Sequence, residues 1–63
     1  EQYEDAIRNF EMAARMDSNI PLLHYYWAMT LSQQGLKSEA CTQIDLEMES
    51  TPEIESFRNK VCR

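Results

Sequence analysis

Apolar side chains return along this chain at steps of three and four residues, the spacing of one face of an α-helix. Tyr3, Ala6, Ile7, Phe10, Ala13 and Ala14 form the first such stripe and predict a helix from about Gln2 to Met16. On its polar side Glu4 precedes Arg8 and Glu11 precedes Arg15 by four residues, the order expected to pair on a helix surface. Asp17-Ser18-Asn19 interrupts the pattern, and Pro21 suits the first turn of a second helix reaching Gln33, because a missing N–H costs nothing there. Gly35 supplies the next turn. Leu36, Ala40, Ile44 and Met48 then repeat every four residues and predict a third helix ending near Ser50. Thr51-Pro52-Glu53 combines an N-cap, a first-turn proline and a dipole-matched acid, so a fourth helix starts there with Ile54, Phe57 and Val61 on its buried stripe. Connections this short favour antiparallel helical hairpins, giving an all-α fold of four helices.

The pattern also repeats on a longer scale. A shift of about 34 residues, the period of one class of helical-hairpin repeat, sets Ala6 on Ala40, Phe10 on Ile44, Ile20 on Ile54, Leu23 on Phe57, Trp27 on Val61 and Ala28 on Cys62. Small residues meet small ones and large meet large, as stacked repeats need where helices approach closely or interlock.

Read from Pro21, small Ala28, turn Gly35, small Ala40, large Ile44 and closing Pro52 follow in the order of a tetratricopeptide repeat, and the chain resembles that family throughout. The resemblance implies an α-solenoid fragment occupying residues 1–63 as one unit. Residues 1–19 resemble the second helix of one repeat, 21–54 a full repeat and 55–63 the start of the next. Three positions depart from the family pattern: Glu47 stands in place of a small alanine, Ser18 in place of a closing proline, and His24 at the usual first-helix tryptophan. A start within a helical pattern and without Met suggests a piece of a longer protein.

Composition narrows the function classes. A net charge of -5 weighs against a duplex nucleic-acid binder, whose affinity rests on phosphate attraction. No apolar run approaches the roughly 18 residues that would suggest a membrane-spanning helix. Cys41 and Cys62 form no C-x-x-C pair and fall at expected buried positions, so reduced thiols in an intracellular, cytoplasmic protein are the expected state, with a disulfide between them as the alternative. One His and two scattered Cys make a poor metal set, and His24 is expected to be structural. No nucleophile elbow, phosphate loop or zinc-protease motif is present, so neither enzyme activity nor a cofactor is expected.

The segment from Leu22 to Met29 is apolar nearly all the way round. Leu23, Trp27, Ala28 and Leu31 complete a core stripe, leaving Leu22, Tyr25, Tyr26 and Met29 in surplus. First helices of the family line a concave groove, so the resemblance implies partner-facing roles for Leu22, Tyr25, Tyr26, Met29 and Gln33. Asn59, Lys60 and Arg63 add a basic edge on the last helix. The expected function is a protein-interaction scaffold that holds a peptide or helix of another protein. The alternative is an architectural segment of a larger helical assembly, or a homo-oligomer formed through the same apolar groove.

Overall fold

The computed structural model describes residues 2–17 and 19–63; Glu1 and Ser18, and with Ser18 the departure from the repeat pattern expected there, lie outside the described residues. Four helices follow one another: α1 (Gln2–Met16), α2 (Leu23–Gln33), α3 (Lys37–Asp45) and α4 (Pro52–Val61). No strand occurs among the described residues, and no helix is long and apolar enough to cross a membrane. Each helix packs on its neighbour in sequence, α1 on α2, α2 on α3 and α3 on α4.

The core forms around the α2–α3 pair because the facing residues there are small enough for close approach. Ala28 and Ala40 are both fully buried and share one cluster with Leu31, Ile44, Ile54 and Val61. Ile44 and Ile54 are the largest side chains wholly removed from water, and each contributes about 1.5–3 kcal/mol by burial. Trp27 is only half-buried: its ring stacks between Phe10 of α1 at 6.2 Å and His24 at 5.8 Å. His24 Nδ1 lies 2.9 Å from Gln43 Oε1, which ties this aromatic stack to α3.

Helix ends follow local chemistry in two places. Gly35 has φ 85, a left-handed conformation that suits glycine, and the turn it makes lets Leu36 N–H donate to Leu31 O at 2.9 Å and Gly35 N–H to Ser32 O at 3.0 Å. Thr51 is the extended N-cap of α4, its hydroxyl accepting from Ile54 N–H at 3.2 Å.

Elsewhere the helices depart from the periodic pattern. α3 ends at Asp45 rather than near Ser50, leaving Met48 outside the helix and 62% exposed; Leu36, just ahead of the helix, is 40% exposed instead of on a buried stripe. Glu47 is the reason for the early end. Its carboxylate accepts from Leu22 N–H at 3.1 Å, Tyr25 N–H at 2.9 Å and Glu49 N–H at 3.1 Å, so the chain leaves the helix to serve the first turn of α2. At 8% exposure Glu47 is the one buried acid among the described residues, and these donors replace the water it loses. α2 in turn begins at Leu23 rather than Pro21, because Leu22 adopts the left-handed region at φ 67. On α1, Arg8 pairs with Asp5 at 3.9 Å, three residues back, rather than with Glu4. No Glu11–Arg15 pair forms among the described residues.

The cysteines are a further correction. Cys41 and Cys62 form a disulfide, with Cα atoms 5.0 Å apart and a sequence separation of 21. Neither is a buried thiol: Cys41 is half-buried on α3 and Cys62 is exposed just past α4. The packing of α4 on α3 brings the two together, and periodicity along one helix carries no record of that.

Candidate protein-interaction site

Two neighbouring clefts hold four of the eight residues expected to face a partner: Tyr25, Asn59, Lys60 and Arg63. Tyr25 donates its backbone N–H to Glu47, which seats the first turn of α2 so that the ring projects toward α4 and meets Phe57 edge-on at 5.7 Å. Tyr26 follows with its ring 5.6 Å from that of Tyr25 and half of its surface exposed. The three rings make a continuous aromatic run from α2 to α4. Beside it Tyr25, Phe57, Pro52, Glu53, Ser56 and Lys60 line an open cleft of about 460 Å³.

Ser56 and Lys60 also form one wall of a second cleft, of about 490 Å³, shared with Lys37, Asn59 and Arg63. Three of the chain's six basic residues therefore meet in one place, in a protein of net charge -5, and no acid lines that cleft. None of the three is in an ion pair among the described residues. An anion entering here would find uncompensated positive charge together with the amide and hydroxyl donors of Asn59 and Ser56.

The expected site residues are thus only partly gathered. Tyr25, Lys60, Asn59 and Arg63 line the two clefts, and Tyr26 adjoins the first through its contact with Tyr25. Leu22 packs against the core and caps α2. Met29, half-buried, and Gln33, exposed, continue the helical face of Tyr26 but line neither cleft. Phe57, expected in the core stripe of α4, is half-buried and forms part of the cleft wall. Lys37 carries no mark in the sequence, because nothing in its own segment distinguishes it from an ordinary exposed cation. Glu53, Ser56, Phe57 and Lys60 sit three and four apart on α4, a spacing that could have marked them as one face.

A third cleft, of about 270 Å³, opens where α1, α2 and α3 meet, between Ile7, Trp27, Leu31 and the polar Glu11, Glu39, Thr42 and Gln43. It holds no cation and none of the expected site residues. No protein-family model matches the chain, and no curated protein or solved structure shows significant similarity to it.

Proposed function

We propose that this chain is a tetratricopeptide-like interaction scaffold that binds a peptide or helix of another protein across α2 and α4. In this reading residues 21–54 are a full repeat, with second-helix residues 1–19 before it and the next repeat opening at 55–63. α2 and α4 are then equivalent first helices lining the inner face of a solenoid, and α1 and α3 form the outer one. The observation that carries the proposal is the run Tyr26, Tyr25, Phe57, which spans the two helices and ends in a half-exposed tyrosine. Tyrosine offers a partner a large apolar area and one polar handle while losing little side-chain entropy. The adjoining cations favour a partner with an acidic residue close to its apolar anchor. The function is binding, without catalysis or cofactor. The disulfide favours an oxidising compartment over the cytoplasm suggested by sparse cysteine usage.

Selection of a displayed peptide library on the immobilised chain tests the proposal. Enriched peptides should lose about 2 kcal/mol or more of affinity to Tyr26→Ala, while its denaturation midpoint moves by less than about 1 kcal/mol. Peptides that bind Tyr26→Ala as well as wild type would remove the site. The second reading, self-association through the same aromatic strip, rests on the same half-exposed Tyr26. Sizing over a range of concentrations separates the two, since a tight dimer dissociated by Tyr26→Ala assigns the strip to assembly.

A further inference from the structure

Cys41 and Asp45 lie four residues apart on α3, and therefore on one face of the helix, while Cys62 reaches them from just beyond the end of α4. Their two sulfurs and a carboxylate oxygen all fall within 4.8 Å of one another. With the disulfide closed the sulfurs have no charge to offer a cation. Opening it changes the chemistry of the cluster: two electrons and two protons come from a pair of thiols that become a disulfide, or from a phosphine and water that give the phosphine oxide, the S–S bond breaks, and each sulfur becomes a thiol that releases its proton when it ligates a metal.

The geometry points to a thiol-gated metal site in which reduced Cys41 and Cys62, with Asp45, hold one zinc-like divalent ion. Two thiolates and a carboxylate suit a tetrahedral, borderline-soft ion. Zn–S bonds of about 2.3 Å in a tetrahedron set the sulfurs about 3.8 Å apart. The Cα separation of 5.0 Å permits that distance by side-chain rotation alone. Cys62 and Asp45 are exposed, so reductant and ion can both enter and a water can complete the shell.

Arg58 is the neighbouring cation that must yield. Its Nε stands 3.6 Å from Asp45 Oδ1, too far for a good hydrogen bond. Its hydrogen bond lies elsewhere: Nη2 donates to Ile44 O at 3.2 Å, and Glu55, 3.8 Å from Nη1, remains beside it as a second acid. Asp45 is therefore free to turn from Arg58 to a metal without dismantling the arginine's other contacts. The consequence is structural. The disulfide fastens α4 to α3 under oxidising conditions, and the metal restores the same fastening when the thiols are reduced, so the α2–α4 clefts would persist in either compartment.

The test uses the whole chain reduced by a water-soluble phosphine, which takes up oxygen from water as it is oxidised, and titrated with Co(II) and then Zn(II). One ion per chain, thiolate-to-cobalt charge-transfer absorption, and a thermal midpoint raised by Zn(II) are expected, all absent from the oxidised chain. Asp45→Asn, which keeps both thiols, should weaken metal affinity by about tenfold or more, whereas the exposed Asp17→Asn should not change it. Absence of thiolate absorption, one ion shared by two chains, or unchanged affinity in Asp45→Asn would each overturn the assignment. Failure of these measurements leaves the peptide-binding proposal standing, because that is read on the oxidised chain.

Discussion

α1 and α4 flank the same central helix pair and are held in different ways. α1 has 15 residues and a clear apolar stripe, but none of its side chains is buried: Ala6, Ile7, Phe10, Ala13 and Ala14 are half-buried, and Met12 and Met16 are 54% and 85% exposed. α4 has 10 residues and buries Ile54 and Val61 almost completely. It is also capped by Thr51, joined to α3 by a disulfide, and fastened by the Arg58 guanidinium to Ile44 O. An apolar stripe sets which face of a helix turns inward, but the depth of burial depends on how many neighbours that face meets. α1 meets chiefly α2, while α4 reaches α3 and the Tyr25 ring of α2.

The difference can be broken first at its apolar contacts. Ile54→Ala should cost about 2–5 kcal/mol, most of the stability of a chain this size, about 3–9 kcal/mol in total. Ile7→Ala on α1 should cost about 1 kcal/mol, since its site is already half open to water. Urea denaturation with the disulfide intact measures both, and equal losses would mean that α1 is held as firmly as α4.

Replacing both cysteines by serine should cost about 3 kcal/mol, the chain-entropy value for a loop of this length. Amide hydrogen exchange sharpens the comparison, because protection should fall first in α4 while α1 keeps its present rates. A uniform loss along the chain would show that the link stabilises the whole fold rather than one helix.

Thr51→Ala should lose about 1 kcal/mol, and Thr51→Asp should retain most of the wild-type stability, because a carboxylate also accepts from Ile54 N–H. Equal losses in the two variants would locate the start of α4 elsewhere. The smallest effect belongs to α1. Arg8→Ala should shift stability by less than about 0.5 kcal/mol, because its pair with Asp5 has side chains 71% and 73% exposed. A larger shift by thermal denaturation would show that α1 relies on its surface charges.

Much of the architecture was legible in the residues because it depends on neighbours in sequence. The stripe from Tyr3 to Ala14 marked α1, Thr51-Pro52-Glu53 marked the start of α4, and Ala28, Leu31, Ala40, Ile44, Ile54 and Val61 were correctly placed inside. The candidate site was legible only along single helices. Tyr25 and Tyr26 stood out as apolar residues in excess of one stripe. Their link to Phe57 and the gathering of Lys37, Lys60 and Arg63 depend on the packing of three helices together.

What the sequence determined by itself was helix identity, turn chemistry and the small residues of the central crossing, all carried by side chains within a few positions of one another. Tertiary structure alone decided three things: the early end of α3, the left-handed Leu22 and the joining of Cys41 to Cys62. The first two turn on Glu47, which reaches back 25 residues to Leu22 N–H. A helix pattern continues past Asp45 on paper, but in the folded chain the unsatisfied N–H groups at the start of α2 are close enough to claim that carboxylate. Buried donors must be matched wherever the fold brings them, and periodicity along one segment carries no record of donors on another.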